Sequence, residues 1–226
     1  MKQRNPSLSS VSTPTEQEQA VIPKMSDPKK TATTAATAAA NGSVVVSAGA
    51  AAIGTKPTLI EKPPMRFLIM DAPRHGNLHL YIREMRKHHV VHVVRVCEPT
   101  YGGGELQNAG ICLHEMEYKD GTSPKEELIH RWLELVDKTF YSGAASDPPP
   151  CIAVHCVAGL GRAPVMVAIA LIEFAGMDPV EAVSFLREKR RGAINEKQLL
   201  YLSGEYKKMY KKKAAAGGDG GCCVIL

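Results

Sequence analysis

Apolar residues are spread unevenly along this chain of 226 residues. Residues 1–61 are rich in Ser, Thr, Ala and Pro and almost free of aromatic side chains. Such a stretch buries too little apolar surface to offset the entropy of ordering it. From about residue 62 onward, β-branched and aliphatic runs alternate with stretches of helical spacing. The pattern predicts a disordered low-complexity extension over residues 1–61, a folded domain over residues 62–213 and a flexible tail over residues 214–226.

The folded part is predicted to alternate strands with helices. Strands are expected at residues 66–70, 90–96, 110–114 and 151–154, and helices at residues 78–87, 124–140, 163–174, 179–190 and 196–212. Three helix starts carry a capping signature, because Ser123, Asp178 and Asn195 are each followed three residues later by Glu or Gln. This order of elements predicts an α/β fold with a central, mainly parallel sheet flanked by helices.

Composition narrows the class of protein. The formal net charge is +5, and much of the basic excess lies near the C-terminus. No stretch is long and apolar enough to span a bilayer. The six cysteines lack the spacing of a disulfide framework, which indicates a reducing compartment. No Cys and His spacing resembles a zinc site, so neither a metal nor a cofactor is predicted.

One short segment carries candidate chemistry. Cys156 stands six residues before Arg162, with two glycines between them, after a predicted strand and before a predicted helix. In that context successive backbone N–H groups converge on one oxyanion. The positive potential favours a thiolate at Cys156, and the arginine can hold two phosphate oxygens in a fork. The segment has the form of the signature loop of the cysteine-based protein phosphatases. The predicted nucleophile is Cys156, and the predicted phosphate-binding residues are Val157, Ala158, Gly159, Leu160, Gly161 and Arg162.

The leaving group of such a reaction needs a proton donor from a neighbouring loop. Asp120 is the best candidate, because it follows a predicted strand and precedes a glycine. Glu115 and Glu117 are weaker alternatives, and a plain Asp-Gly surface turn is the non-catalytic reading of Asp120. His155 is interpreted as ordering the loop and tuning the thiolate rather than transferring protons.

Several separate stretches resemble the phosphatases of regenerating liver, a family of prenylated, dual-specificity-like tyrosine phosphatases. The matching segments are residues 65–69, 94–97, 154–165, 189–193 and 197–202. The resemblance implies the cysteine-phosphatase fold and assigns Asp120 as general acid. The family usually has Trp-Pro-Phe-Asp-Asp-Gly before that acid, whereas residues 116–121 here are Met-Glu-Tyr-Lys-Asp-Gly.

Two further expectations depend on that resemblance. Most cysteine phosphatases carry Ser or Thr after the loop arginine, but this chain has Ala163, as is typical of the resembled family. Without a hydroxyl to help expel the thiolate, phosphocysteine should accumulate and turnover should be slow. The resemblance also implies a reversible disulfide between Cys97 and Cys156, the arrangement of a redox sensor. A buried, inert Cys97 is the plainer alternative.

The C-terminus predicts membrane attachment. Residues 223–226 fit the Cys-aliphatic-aliphatic-X pattern, and the terminal Leu favours geranylgeranyl on Cys223. Cys222 is a candidate for palmitate or carries nothing. The upstream lysines are Lys207, Lys208, Lys211, Lys212 and Lys213. A polybasic patch supplies the second signal that one lipid chain needs. The expected location is the cytoplasmic face of the plasma membrane or of endomembranes, with some protein in the cytosol.

Two classes of function compete. The first is a phosphatase acting on phosphotyrosine proteins, with phosphoinositides ranked lower because Val157 and Leu160 are apolar. The second is a binding module that docks a membrane magnesium transporter through the catalytic pocket, as the resemblance implies. Nucleic-acid binding is not expected, since the basic tail lacks interleaved aromatic residues beyond Tyr206 and Tyr210. The resemblance also suggests a homo-oligomer, because trimers occur in the family.

Overall fold

The computed structural model describes residues 52–142 and 146–210. A five-stranded sheet forms its centre, in the order β1-β2-β5-β3-β4. The strands are β1 (Thr58–Lys62), β2 (Met65–Met70), β3 (Val90–Arg95), β4 (Cys112–Glu115) and β5 (Cys151–His155). β1 pairs with β2 in antiparallel fashion, and the other neighbours are parallel. The prediction of a mainly parallel sheet is therefore confirmed.

Helices cover both faces of the sheet. They are α1 (Leu78–Lys87), α2 (Gly104–Asn108), α3 (Glu126–Phe140), α4 (Arg162–Phe174), α5 (Pro179–Lys189) and α6 (Glu196–Leu200). A π-helical turn, Tyr201–Glu205, follows α6 directly. Among the described residues, no helix combines the length and apolar character needed to cross a membrane.

Alternating side chains of the central strands pack into two separate hydrophobic cores, one on each face of the sheet. Phe67, Ile69 and Val154 belong to the core shared with α3, α4 and α5. Leu68 and Ala153, one position away, belong to the core shared with α1 and α2. Successive residues of a strand point to opposite faces, so both faces of these strands are buried and both are apolar.

Helix α4 lies at the centre of the larger core. Every residue from Arg162 to Ile172 is buried, so this helix is apolar around its whole circumference rather than along one stripe. The indole Nε1 of Trp132 on α3 donates to the Met166 carbonyl at 2.8 Å. This packing fixes α4, and with it the loop that precedes the helix.

The folded domain begins earlier than the sequence pattern predicted. Residues 58–61, assigned above to the disordered extension, lie in β1. The strand is ordered because Ile60 is fully buried in the main core and because β1 pairs with β2 along its whole length. Residues 1–51 of the predicted extension lie outside the described residues, as does the tail from residue 211 onward.

The helix caps agree only in part with the sequence pattern. Asn195 and Gln198 form the expected capping box, and Asp178 accepts a hydrogen bond from the Val180 N–H. The predicted box at Ser123 is wrong, because α3 begins at Glu126 with Lys125 as its N-cap. The Lys125 side chain forms no capping hydrogen bond. The carboxylates of Glu126 and Glu127 in the first turn instead interact favourably with the positive end of the helix dipole.

The last helix is shorter than predicted. It ends at Leu200 instead of continuing to residue 212, and the chain leaves the π-helical turn with extended backbone at Tyr206. Glu173 near the end of α4 holds this segment. Its carboxylate accepts hydrogen bonds from the Tyr206 hydroxyl, from Met209 N at 2.7 Å and from Tyr210 N at 3.2 Å. We call residues 206–210 the C-terminal strap.

Candidate active site

The loop between β5 and α4 brings the predicted nucleophile to the carboxyl end of a central strand. Cys156 directly follows β5, which is paired on both sides and buried at every residue. Its side chain is nearly buried, at 4% exposure. Ligands bind at this edge of parallel sheets. The structure therefore places the thiol where the sequence pattern expected it.

The carbonyl groups of this loop are turned outward. Val157 O accepts from Ala72 N at 3.0 Å, and Leu160 O accepts from Ile194 N at 2.7 Å. The guanidinium of Arg190 donates to the Gly159 carbonyl at 2.7 Å and to the Ala158 carbonyl at 3.3 Å.

In a planar trans peptide the N–H points opposite to the carbonyl of the same unit. Anchoring the carbonyls of residues 157–160 from outside therefore directs the N–H groups of residues 158–161 into the loop. A concave ring of N–H donors next to a helix N-terminus is a site for an oxyanion. The predicted phosphate loop thus has the backbone orientation that phosphate binding requires.

Glycine is required at one position of the loop for two reasons. Gly159 has φ +69°, in the left-handed region that L side chains rarely adopt. A Cβ built there would also collide with the Met70 carbonyl and lie 2.7 Å from Nη2 of the Arg190 guanidinium. Any side chain would thus push the loop away from β2 and from the guanidinium that holds it.

Arg162 binds backbone carbonyl groups through Nη1, whereas its Nε faces a carboxylate without an aligned hydrogen bond. This side chain is 3% exposed, and its Nη1 donates to Tyr118 O at 3.0 Å and to Val96 O at 3.3 Å. Its Nε lies 3.2 Å from Asp120 Oδ1, but Nε has no aligned hydrogen-bond acceptor among the described residues. A buried, uncommitted N–H of this kind is suited to an incoming phosphate oxygen.

Asp120 lies on the loop between β4 and α3 and faces this arginine. Its side chain is 77% exposed, so it can reach a substrate at the pocket mouth. The two alternatives are placed differently. The Glu115 carboxylate is bound by Arg95 through two contacts, one of 2.8 Å. Glu117 lines a separate groove beside α3 with Lys125 and Arg131.

His155 belongs to a buried polar cluster beneath the loop. It is fully buried, and burial lowers its pKa to about 4, so the imidazole is neutral near pH 7. Its Nε2 lies 2.7 Å from the Tyr101 hydroxyl, and its Nδ1 lies 4.0 Å from Cys97 Sγ. These contacts agree with the interpretation of His155 as a structural residue that supports the loop.

Cys97 lies at the end of the strand next to the catalytic one. β3 and β5 are parallel with Arg95 opposite His155, so Cys97 and Cys156 follow neighbouring strand ends. Both thiols are free in this structure. Burial raises the pKa of Cys97 to about 11, which keeps this sulfur protonated near neutral pH.

Sequence reasoning overlooked residues that complete the site. Glu98 Oε2 lies 3.6 Å from Arg162 Nη1, and Gln198 lies beside Gly161, where a Cβ would be 3.1 Å from its Nε2. Arg190 anchors the loop carbonyls. The sequence held a signal for Glu98, because it stands three residues after β3, at the same edge of the sheet as Cys156. Arg190 and Gln198 contact the loop across more than thirty positions in the chain, and no local sequence pattern indicates those contacts.

A thiol facing inward N–H groups, a buried arginine and an exposed carboxyl group can together break a phosphoester through a sulfur nucleophile. Comparison with known proteins agrees. The protein-tyrosine phosphatase family model matches residues 71–204. A probable protein tyrosine phosphatase type IVA A from Dictyostelium discoideum is 48% identical over 154 residues, covering 68% of this chain and 89% of the relative.

Two further similarities point the same way. The PRL-1 phosphatase of Drosophila melanogaster is 47% identical, covering 65% of this chain and 80% of its own length. The solved structure of a putative protein tyrosine phosphatase from Leishmania major is 40% identical with a TM-score of 0.61, covering 68% of this chain and all of that one.

The fold and the site define a cysteine-dependent protein tyrosine phosphatase. Within that class, the chain belongs to the PRL, or type IVA, family.

Proposed function

We propose that the protein hydrolyses phosphotyrosine in protein substrates, with activity toward phosphoserine and phosphothreonine, through a phosphocysteine at Cys156. The observation that carries this assignment is the outward anchoring of the loop carbonyls around the thiol. That geometry leaves the N–H groups of the loop available to the phosphate oxygens, and Arg162 Nε has no aligned acceptor among the described residues.

The first chemical step forms a bond from Cys156 sulfur to phosphorus and breaks the bond from phosphorus to the substrate oxygen. Charge on the equatorial oxygens is stabilised by the inward N–H groups and by Arg162. Asp120 donates its proton to the leaving phenol, which departs neutral. In the second step water attacks phosphorus, Asp120 takes up a water proton, and the thiolate leaves with inorganic phosphate as product.

Slow turnover is part of the proposal. Ala163 is fully buried at the second position of α4, next to the arginine and close to the loop. A methyl group there offers no hydrogen bond to the departing thiolate. We expect the second step to limit the rate and the phosphoenzyme to accumulate.

Redox control is supported by the position of Cys97. A peroxide would oxidise Cys156 to a sulfenic acid with release of water, and the Cys97 thiol would then attack that sulfur and expel a second water molecule. The raised pKa of Cys97 disfavours this thiol as the first site of oxidation. The test treats the protein with peroxide and then with reductant. Activity that recovers in the wild type but not in Cys97→Ser, with the untreated variant active under reductant, would support this step.

Membrane anchoring remains a proposal that depends on the tail. Cys223, the candidate for geranylgeranyl, and Cys222 lie outside the described residues, as do the lysines from residue 211 onward. Lys207 and Lys208 are exposed on the C-terminal strap, where they are free to meet an anionic leaflet. Each lysine near such a surface contributes about 1 kcal/mol. Flotation with liposomes before and after prenylation, against Cys223→Ser, tests the assignment.

A second candidate function is docking of a membrane magnesium transporter. The contact of 3.2 Å between Asp120 Oδ1 and Arg162 Nε favours it, because a carboxylate already approaches the arginine of the phosphate site. A partner's carboxylate would take the same place, and a phosphocysteine would exclude it. Binding that persists with reduced Cys156 and disappears on phosphorylation or oxidation would support docking.

Pre-steady-state hydrolysis of an aryl phosphate under strong reductant tests the main proposal, with Cys156→Ser as control. We expect a burst of one product per enzyme followed by slow turnover, absent from the variant. Folded, fully reduced protein without a burst would contradict the phosphocysteine mechanism and leave docking as the function of the pocket.

A further inference from the structure

Glu98 places a second carboxylate at the mouth of the phosphate site. It follows Cys97, which is fully buried, and it stands two residues before Thr100, whose hydroxyl donates to the Pro73 carbonyl at 2.6 Å. The backbone on both sides of Glu98 is therefore fixed. Its side chain is 64% exposed and its Oε2 lies 3.6 Å from Arg162 Nη1.

This carboxylate keeps its charge. The backbone at Glu98 and the neighbouring Arg162 lower its pKa, so it is ionised at neutral pH. Asp120, the other carboxylate at this arginine, has to carry a proton when it acts as general acid. During bond cleavage Glu98 is thus the carboxylate beside Arg162 that remains negative.

Two exposed side chains of the phosphate loop itself are apolar. Val157 and Leu160 project from the loop with 58% and 39% exposure. Lys119 stands next to Asp120 in sequence, but its side chain lines the separate groove beside α3 with Ser123 and Leu128. A substrate whose phosphate binds Arg162 therefore places its flanking groups near one fixed negative charge and two apolar side chains.

From this arrangement we propose that Glu98 is a specificity-determining residue that selects phosphotyrosine flanked by basic or apolar residues and rejects phosphate groups with acidic neighbours. The inference depends on the proposed phosphatase function and names the substrate class of the same site. Glu98 acts by charge at the rim: it attracts a flanking lysine or arginine and repels a flanking carboxylate or second phosphate.

The test compares kcat/KM for phosphotyrosyl peptides that differ only in the residues adjacent to phosphotyrosine, which are Lys, Gln or Glu. The full-length protein is used under reductant, and p-nitrophenyl phosphate serves as a substrate without flanks. We expect the Lys peptide to exceed the Glu peptide by about 5- to 10-fold at low salt, as befits one partly exposed charge pair. In 0.5 M salt the ratio should shrink, because exposed charges are then screened.

Two variants assign the effect. Glu98→Gln should reduce the Lys-to-Glu ratio to below about 2-fold, mainly by raising kcat/KM for the Glu peptide. Glu134→Gln removes the same charge from the exposed face of α3 and should leave the ratio unchanged. Wild-type ratios near one, or a ratio that survives Glu98→Gln, would overturn the inference while leaving the phosphatase function intact. Failure to hydrolyse any substrate, p-nitrophenyl phosphate included, would instead refute the proposed function.

Discussion

Tyr118 and Arg162 hold each other by reciprocal hydrogen bonds. The Tyr118 hydroxyl donates to the Arg162 carbonyl at 2.9 Å, and Arg162 Nη1 donates to the Tyr118 carbonyl at 3.0 Å. The loop that carries Asp120 is thus fastened two residues before the acid to the arginine of the phosphate site. The proposed proton donor and the proposed phosphate anchor are therefore positioned by the same pair of hydrogen bonds.

Removing one half of that contact should loosen the acid loop. Tyr118→Phe keeps the buried ring but removes one hydrogen-bond donor from the Arg162 carbonyl, at a cost of about 1 kcal/mol in stability. We expect kcat/KM for an aryl phosphate to fall about 5-fold, since small displacements of a catalytic group are costly. Tyr141→Phe, at the far end of α3, is the matched control. Unchanged kinetics in Tyr118→Phe would show that the acid loop is positioned by other contacts.

Arg162→Lys tests whether the guanidinium fork matters beyond its charge. A lysine cannot serve Val96 O, Tyr118 O and a phosphate together. We expect kcat/KM to fall by about 10²- to 10³-fold, the scale of a lost oxyanion donor. Arg131→Lys, an exposed change on α3, should retain activity. Thermal unfolding of both variants separates loss of chemistry from loss of fold, and an active Arg162→Lys enzyme would contradict the role given to this residue.

Ala163→Ser should accelerate the slow step. The added hydroxyl can donate to the Cys156 thiolate as it leaves phosphorus, so the steady-state rate should rise about 5- to 10-fold, as expected for one added donor. The burst should become less distinct, because phosphoenzyme no longer accumulates. Quench-flow of an aryl phosphate measures both phases. A higher burst rate with an unaltered second phase would place the effect in the wrong step.

His155 should make the fold sensitive to acid. Its pKa is lowered to about 4 when folded, against an ordinary value of 6.5, so between these values the unfolded chain binds the extra proton. The contribution of the neutral His155 to the free energy of unfolding is fully present above pH 6.5. It is lost as the pH falls toward 4, and the loss is about 2 kcal/mol at pH 5.

Urea unfolding at pH 7 and pH 5 measures this loss, and His155→Gln should show a shallower pH dependence. NMR of the wild-type imidazole provides a second measurement that does not require the variant to fold. The ring should show no titration above pH 5, and a midpoint near 6.5 would refute the assignment.

Glu173→Ala should release the C-terminal strap. Without the carboxylate, the Tyr206 hydroxyl and the amides of Met209 and Tyr210 lose their acceptor. Trypsin should then cleave after Lys207 and Lys208 about 10-fold faster, which corresponds to an opening free energy lower by about 1.4 kcal/mol. Mass spectrometry of timed digests measures the rate. Glu134→Ala is the control, and equal rates in both variants would mean that Glu173 does not hold the strap.

The parts of the site that are contiguous in the chain were predictable. The segment from Cys156 to Arg162 is local, and its strand-to-helix context showed in the alternation of apolar runs. Asp120 was predicted as the acid because it follows a predicted strand and precedes a glycine, and the structure places its carboxylate 3.2 Å from Arg162 Nε. The contacts of Arg190 and Gln198 with the loop were not predicted, because their partners are distant in sequence. Strand β1 was not predicted, because its formation depends on pairing with β2 and not on its own five residues.

The outward anchoring of the loop carbonyls also bears on ligand binding. The donors are Ala72 on one side and Arg190 and Ile194 on the other, all distant from the loop in sequence, so the shape of the loop is settled when the domain folds. An arriving oxyanion then orders no backbone, and its affinity is not diminished by the conformational entropy that a flexible loop would lose on each encounter. The anion-bound and anion-free loops should superimpose.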